Sequence, residues 1–256
     1  MNVILETENL AIGYKGVQIA ENLNLNLREG EVTALIGRNG AGKSTLIKTL
    51  TGNLPPLKGS VTINKENITK INLKDLSRLI SVVNTDPHMA GGLRLRELVE
   101  LGRIPYTGRI GILSKDDNHI VEEALKATGV LHMKERYVSE LSDGERQKGM
   151  IARGLAQETP LIIMDEPFSF LDVASRWEIL ELMKNLAIEK NKAILFSTHE
   201  VSEALRMSDR IWLFTVNGLL EGEPEKLISS GAVDLLFPQS RIKFDKEKGD
   251  FYLPDK

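Results

Sequence analysis

The chain has 256 residues, which suffices for one large domain, or for one domain carrying a subdomain, without covalent cross-links. Cysteine is absent, which excludes disulfides, thiolate metal sites and cysteine nucleophiles, and is consistent with a reducing compartment. The 33 basic and 36 acidic residues are interspersed and give a formal net charge of −3, so no polybasic surface is predicted and nucleic acid is not an expected partner.

The amino-terminal segment predicts neither an export signal nor a membrane anchor. "MNVILETENL" lacks a basic region and an apolar run of signal length. No later run reaches the roughly 18 apolar residues of a spanning helix. Any membrane association is therefore expected to depend on a partner.

The first predicted elements are strands, followed by a strand-turn-helix unit. Leu23, Leu25 and Leu27 alternate with Asn24 and Asn26, the period of half-buried strands in an antiparallel sheet. "EVTALIG" then predicts a buried strand that leads through a glycine-rich turn into the helix "KSTLIKTLTG".

The turn between that strand and that helix predicts a phosphate-binding loop. It satisfies G-x-x-x-x-G-K-[ST] in the required context, and its backbone N–H groups would point at an anion. Lys43 is predicted to neutralise the β and γ phosphates, and Ser44 to offer its hydroxyl to Mg²⁺. A glycine-rich turn with an incidental lysine is the alternative. The predicted nucleotide-binding residues here are Gly37, Arg38, Asn39, Gly40, Ala41, Gly42, Lys43, Ser44 and Thr45.

The remaining elements predict an α/β domain. The strands "SVTIN", "LISVVN", "PLIIMDE", "KAILFSTH" and "RIWLFTV" are mostly separated by helical patterns, which favours parallel core strands. Between 93 and 157 only helical periodicity is evident, in "LRELVELG" and "NHIVEEALKATGV", with "RIPYTGRIGILSKDD" as an exposed loop. We therefore predict an α/β core over 1–92 and 158–235, a helical subdomain over 93–157 and a tail over 236–256.

Three side chains at strand ends predict catalysis. Asp165, at the end of a buried strand, could bind Mg²⁺, and the adjacent Glu166 could polarise the water that attacks a γ-phosphate. His199, at the end of "AILFSTH", would be a third group near that phosphate. Taken alone, the acidic pair could be a solvated turn and the histidine a structural one.

A second anion-binding feature is predicted in "ELSDGERQKGMIARGLAQ", residues 140–157. Ser142 with Glu145 three residues later is typical of a capped helix start. A capped helix also directs its positive dipole end at a ligand. From the residues alone, both interpretations stay open.

In order and spacing, "GRNGAGKST", "LSDGERQ", "LIIMDEP", "FLD" and "STH" resemble the nucleotide-binding subunits of ABC transporters. The resemblance implies a P-loop NTPase core of ABC type: a mixed sheet, an amino-terminal antiparallel β subdomain and an inserted α-helical subdomain. It implies ATP hydrolysis with Mg²⁺, and a head-to-tail dimer of two copies. In such a dimer the Ser142 hydroxyl and the Gly144 N–H would cap ATP on the partner's phosphate loop.

The resemblance extends to further positions and fails at one. Tyr14 matches the aromatic residue that stacks on adenine, unless it is a half-buried strand tyrosine. Asp172 matches the loop that crosses the dimer contact, and it could also be a helix N-cap. The family's glutamine after "LISVVN" is missing: Thr85, or Asn84 in the neighbouring register, stands there as the expected metal contact.

"RELVELGRIPYTG" followed by "LSKDD" resembles subunits that serve uptake of ferric siderophores, haem and vitamin B12. This resemblance implies integral-membrane permease partners, an indirect substrate-binding protein, and a peripheral location on the cytoplasmic face of the bacterial inner membrane. Another importer or exporter, or a soluble ABC ATPase, is the alternative. A phosphotransferase would need neither the Ser142 turn nor His199.

Overall fold

The computed structural model describes residues 2–14, 16–84, 92–108, 111–238 and 240–254. Its elements form two larger sheets, a group of helices and a small terminal hairpin. The predicted class, an α/β core with a mixed sheet, an antiparallel β part and added helices, is confirmed. The boundaries proposed for the subdomains stay a prediction.

The antiparallel sheet is built around its first strand. The alternating segment 23–27 belongs to two strands, since one strand ends at Leu23 and the next begins at Asn26. Between them the Thr7 side chain stands in place of a continuous backbone ladder: its Oγ1 accepts from the Leu25 N–H and donates to the Leu23 carbonyl. Leu23, Leu25 and Leu27 are nevertheless all buried, as the pattern predicts. The strands are β1 (Val3–Tyr14), β2 (Val17–Leu23), β3 (Asn26–Arg28), β5 (Lys58–Ile63) and β6 (Glu66–Asn67).

The second sheet has six strands in the order β11-β10-β4-β9-β8-β7. They are β4 (Val32–Ile36), β7 (Ile80–Asn84), β8 (Leu161–Asp165), β9 (Ala193–Thr198), β10 (Arg210–Thr215) and β11 (Gly218–Gly222). The β10-β11 pair is antiparallel and every other pair is parallel. The carboxyl ends of β4, β9 and β8 therefore lie side by side, although long segments separate them in sequence.

The helices cover this sheet and form a separate group. They are α1 (Lys43–Leu50), α2 (Leu73–Leu76), α3 (Leu95–Glu100), α4 (Lys115–Ala127), α5 (Asp143–Ala156), α6 (Val173–Lys190), α7 (Val201–Met207) and α8 (Pro224–Ser229). Helices α3, α4 and α5 pack together through buried aliphatic side chains such as Leu95, Leu98, Val121 and Ile151. Within the described part of 93–157 the structure holds no strand, only an isolated bridge between Arg94 and Tyr137.

The expectation of an exposed loop after α3 is wrong at its start. Arg103 is buried: it donates to Asp117 Oδ1 at 2.8 Å, to the Ala156 carbonyl at 2.8 Å and to Glu158 Oε2 at 2.7 Å. Its guanidinium lies over the ring of Tyr106, 4.1 Å from the centroid. These contacts fix the segment between the α3–α5 group and the start of β8, because a buried guanidinium must be paired.

The end of the chain forms a short hairpin. Strands β12 (Lys243–Asp245) and β13 (Asp250–Tyr252) pair antiparallel. Phe251 packs edge-to-face against both Phe237 and Phe244, with ring centroids 5.2 and 5.1 Å apart. The predicted tail thus includes a small aromatic cluster. Among the described helices, none has the length and apolarity to cross a membrane.

Candidate functional site

The phosphate-binding loop begins where β4 ends and α1 begins. Gly40 and Gly42 have φ angles of 79° and 112°, in the left-handed region that favours glycine. A Cβ on Gly42 would lie 2.5 Å from Ile19 Cγ2, so a side chain there is excluded by space as well as by conformation. The loop therefore turns sharply and presents the amino terminus of α1 to the solvent side, where an anion is stabilised.

Lys43 is the cation of this loop. It is buried, and its ammonium donates to the Gly37 carbonyl at 2.8 Å. The same Nζ lies 3.3 Å from Glu166 Oε1. Its charge is thus held between the loop and the end of β8, where it can neutralise phosphate oxygens.

Asp165 and Glu166 are oriented by a serine of the neighbouring strand. Ser197 Oγ donates to Asp165 Oδ1 at 2.6 Å and accepts from the Glu166 N–H at 2.9 Å. Glu166 has a φ of 51°, a left-handed conformation that is strained for a residue with a side chain. In this conformation one oxygen of its carboxylate, Oε1, lies 3.3 Å from Lys43 Nζ.

His199 approaches Glu166 from the end of β9. The distance from His199 Nδ1 to Glu166 Oε2 is 2.8 Å, so one carboxylate oxygen faces the histidine and the other faces Lys43. The imidazole is about half exposed. An N–H on Nδ1 would donate to the carboxylate and fix its orientation.

A cavity of about 470 Å³ connects these groups. The volume is within the range of small-molecule sites. Seven of the nucleotide-binding residues predicted between 38 and 45 line this cavity. The two predicted catalytic residues, Glu166 and His199, line it as well. Lining residues are Ile19, Arg38, Asn39, Gly40, Gly42, Lys43, Ser44, Thr45, Glu166, Ser169 and His199.

Other predicted site residues lie outside this cavity. Tyr14 is 57% exposed at the end of β1, which contradicts the half-buried alternative and leaves adenine stacking a prediction. Ser142, Gly144 and Asp172 do not line this cavity; Gly144 instead approaches the start of α6, where a Cβ on it would lie 2.7 Å from the Oγ of Ser175. Asn84 ends β7, directly paired with Asp165 on β8, whereas Thr85 lies outside the described residues.

Sequence reasoning missed three residues of this region: Ile19, Ser169 and Ser197. Ser197 had a signal, because it is a small polar residue inside the otherwise apolar run "AILFS" and is fully buried. Ile19 had none, since nothing local indicates that β2 contacts the phosphate loop. Ser169 lies in the turn after Glu166, and the Ser169 N–H donates to the Glu166 carbonyl.

Ser142 begins α5 with a complete capping box. Its Oγ accepts from the Glu145 N–H at 3.3 Å, and Glu145 Oε2 accepts from the Ser142 N–H and Oγ–H. The hydrogen bond from the Ser142 N–H has the largest effect on the pKa of Glu145 and lowers it, and the hydrogen bond from the Ser142 hydroxyl lowers it further. Ser142 itself is exposed, so the helix start faces outward with its dipole.

Asp172 caps α6 in the same way. Its Oδ1 accepts from the Ser175 N–H at 2.7 Å, so the N-cap alternative is confirmed. That backbone hydrogen bond, followed by the one from the Ser175 side chain, lowers the pKa of Asp172, which is therefore ionised at neutral pH. The carboxylate remains exposed beside the turn 166–171.

A nucleotide and a divalent cation fit these residues. Glycine-rich backbone, a buried ammonium and a helix amino terminus form the cradle that phosphates require. The described residues contain no group of three or more His, Cys, Asp or Glu side chains that could hold a metal by themselves. A serine hydroxyl and one carboxylate are instead the sparse oxygen ligands with which proteins hold Mg²⁺ on a phosphate.

The fold and this site define an ATPase of the P-loop class, and comparison with known proteins makes the family specific. The family model described as ABC transporter matches residues 20–169. An uncharacterized ABC transporter ATP-binding protein of Methanocaldococcus jannaschii is 39% identical over 251 residues, 98% of this chain and 87% of that one. The chain belongs to the ABC transporter family.

One further relative and one solved structure are similar to this chain over most of their length. The iron(3+)-hydroxamate import ATP-binding protein FhuC of Bacillus subtilis is 39% identical over 204 residues, 80% of this chain and 76% of that one. The solved structure of CbiO1 from Clostridium perfringens, described as part of the ABC transporter complex CbiONQ, has a TM-score of 0.81 and 28% identity. That match covers 93% of this chain and 97% of CbiO1.

Proposed function

We propose that this chain hydrolyses ATP to power import of an iron chelate, haem or cobalamin through a partner membrane permease. The observation that carries the proposal is the convergence of Lys43, Glu166 and His199 on one cavity at the carboxyl end of the parallel strands. These three groups come from three different turns, and they supply the charges that phosphoryl transfer to water needs.

Each residue has a role in this proposal. ATP, when bound, supplies the phosphoryl group that is transferred. Lys43 neutralises its phosphates, while Ser44 and Asp165 hold Mg²⁺. Glu166 accepts the proton of the attacking water and His199 holds that carboxylate in position. Ser197 orients Asp165 and Glu166 together.

A second copy of the chain completes the site. Ser142 and Gly144 do not line the cavity of their own chain, although the Ser142 turn has the exposed helix start of an anion site. A head-to-tail pair would place this turn of each copy over the nucleotide of the other. Hydrolysis then removes the charge pattern between the copies, so that the pair reopens.

The relatives support the proposed cargo and the proposed partners. FhuC serves iron(3+)-hydroxamate import, and the segment 96–117 resembles the same group. The nucleotide cavity is lined mainly by the phosphate-binding loop, Glu166 and His199, so its residues would contact ATP and not the transported iron chelate. The chain would act peripherally on the cytoplasmic face of a bacterial inner membrane, bound to permease subunits that receive cargo from a binding protein.

The central test is Glu166→Gln. Loss of the general base should reduce ATP turnover at least about 100-fold while ATP still binds, so that the pair stays closed. Light scattering should show a dimer that requires ATP, and Glu178→Gln, on the surface of α6, should behave as the wild type. Unchanged hydrolysis by Glu166→Gln would remove Glu166 from the proposed role.

The import part has its own test. Cells that lack the chain should lose uptake of radiolabelled ferric hydroxamate, and the wild-type chain, but not Glu166→Gln, should restore it. A permease with many spans should copurify with the wild-type chain. Full uptake without the chain, alongside normal ATP hydrolysis in vitro, would reject the cargo and leave the ATPase standing.

A further inference from the structure

An exposed aromatic side chain stands beside the catalytic turn. Phe170 is 78% exposed, whereas Phe168 and Leu171 on either side of it are buried at 4% and 6%. The turn is tied by backbone hydrogen bonds from Ser169 to Glu166 and from Leu171 to Phe168. The backbone around Phe170 is thus fixed, and burial of its neighbours leaves its ring in solvent.

Phe170 also has a strained backbone. Its φ of 68° is left-handed, a conformation that costs free energy for any residue with a Cβ and is rare for a bulky one. Glycine would relieve the strain. A strained, exposed aromatic residue gains nothing for the isolated chain, which points to a contact outside it.

A cavity of about 320 Å³ offers a matching surface on the other side of the phosphate loop. Its apolar wall is formed by Val201, Leu236 and Phe237, and Phe237 is held in place by the edge-to-face contact with Phe251. Its polar rim, Arg38, Asn39 and His199, is shared with the nucleotide cavity. The volume and the apolar wall suit one aromatic ring.

The charges beside the ring and the cavity are complementary. Asp172, two residues after Phe170, is an exposed and ionised carboxylate. Arg38 on the cavity rim is exposed, and its guanidinium forms no side-chain hydrogen bond or ion pair with the residues that the structure describes. When the ring enters the cavity, the carboxylate can approach this guanidinium.

We propose that Phe170 of one copy inserts into the cavity formed by Val201, Leu236 and Phe237 of a second copy when ATP closes the pair. The inference rests on the dimer of the proposed function and adds a specific anchor to it. Phe170 does not line this cavity in its own chain, and the carboxylate of Asp172 complements Arg38 on the cavity rim, so the occupant that we assign is a second copy. The carboxyl-terminal hairpin, through Phe237, thereby becomes part of the dimer contact.

The absence of cysteine permits a direct test by disulfide cross-linking. In the Glu166→Gln background, Phe170→Cys combined with Val201→Cys should give a covalent dimer on oxidation, with ATP and not without it. Phe170→Cys combined with Ile188→Cys, which places the second thiol on the exposed face of α6, is the matched control and should give no 170–188 disulfide. Mass spectrometry should identify the 170–201 linkage.

Other linkages would overturn the inference. A 170–170 disulfide in the single variant would show that the two rings meet each other. A fast-migrating monomer with an internal 170–201 link would show insertion within one chain. An ATP-dependent dimer by light scattering without the 170–201 link would reject the anchor and leave the dimer standing, whereas absence of any such dimer would reject both.

A second measurement, photo-cross-linking, retains an aromatic side chain at position 170. Benzoylphenylalanine at position 170 should photo-cross-link, in the presence of ATP, to peptides that contain Val201 or Leu236 of the other copy. Phe170→Ala in the Glu166→Gln background should raise the dimer dissociation constant at least about 10-fold, and Phe170→Leu less, since burial of apolar area drives the contact. An unchanged dissociation constant in Phe170→Ala would contradict the anchor.

Discussion

At the residue scale, the site depends on how the two consecutive carboxylates at the end of β8, Asp165 and Glu166, are held apart. Ser197 anchors Asp165 at the edge of the sheet, and Lys43 and His199 take one oxygen each of Glu166. Asp165, the proposed metal ligand, and Glu166, the proposed general base, are consecutive carboxylates that would otherwise repel each other at short distance. One hydroxyl and two nitrogen groups thus give neighbouring carboxylates different tasks.

Ser197→Ala tests this arrangement. We expect kcat for ATP hydrolysis to fall about 10- to 100-fold with a smaller change in KM, since the hydroxyl that orients the proposed metal-binding carboxylate of Asp165 is lost. Half-saturation with Mg²⁺ should shift upwards. Ser81→Ala is the matched control, because Ser81 is also a buried strand serine but its hydroxyl has no hydrogen-bond partner in the described part of the chain. Equal losses in the two variants would contradict a positioning role.

At the element scale, two helices begin with the same device and have different surroundings. Ser142 with Glu145 caps α5, and Ser114 with Asp117 caps α4, each as a complete capping box. The local sequences explain both caps equally well. What differs is that only the start of α5 is predicted to meet the partner's nucleotide.

Ser142→Ala and Ser114→Ala separate capping from nucleotide binding. Each change should lower the free energy of unfolding by about 1 kcal/mol, the usual value of an N-cap. Only Ser142→Ala should also weaken the ATP-dependent dimer, measured by light scattering with Glu166→Gln in both proteins. If the two variants dimerise equally well, Ser142 is a cap and nothing more.

A close approach between elements gives a further prediction. A Cβ on Gly102 would lie 2.3 Å from the backbone carbonyl oxygen of Arg153 in α5. Gly102→Ala should therefore force the two segments apart and cost about 1–3 kcal/mol in chemical denaturation. Gly108→Ala, where a Cβ meets nothing within 4 Å, should be nearly neutral. A neutral Gly102→Ala would mean that the contact yields without cost.

At the scale of the whole molecule, Arg103 links the helical group to the core through Asp117 and Glu158. The side-chain hydrogen bond from Ser114, then its backbone N–H, and then Arg103 lower the pKa of Asp117. A carboxyl whose folded pKa is lowered stabilises the fold above its unfolded pKa of about 3.9. That stabilisation disappears as the pH falls through the folded pKa.

Asp117→Asn should show this dependence. We expect a loss of about 1–3 kcal/mol in unfolding free energy that is constant from pH 7 to pH 5, since one partner of a buried pair is removed. Below about pH 4 the difference from the wild type should shrink, because the wild-type carboxyl protonates too. Asp116→Asn, an exposed neighbour in the same turn, should change little at any pH. A difference that persists undiminished at pH 3 would contradict the ion pair.

The sequence by itself determined everything that is encoded locally. The phosphate loop, the Ser142 and Asp172 caps, the buried strands and the acidic pair at 165–166 could be predicted, because turns, caps and periodicity depend on residues close in the chain. The family order of these motifs added the fold class. The exposure of Tyr14 could not be predicted, and the half-buried alternative to adenine stacking was excluded only by the structure, because exposure depends on what packs against a strand.

Only the tertiary structure decided which side chains meet across the sheet. Strand β9 lies between β4 and β8, so Ser197 reaches Asp165 across more than thirty residues of sequence. In the same way Arg103 is buried by partners from α4 and the start of β8, and Ile19 closes the phosphate loop from β2. Strand order and burial arise from the packing of distant segments, and no local pattern records them.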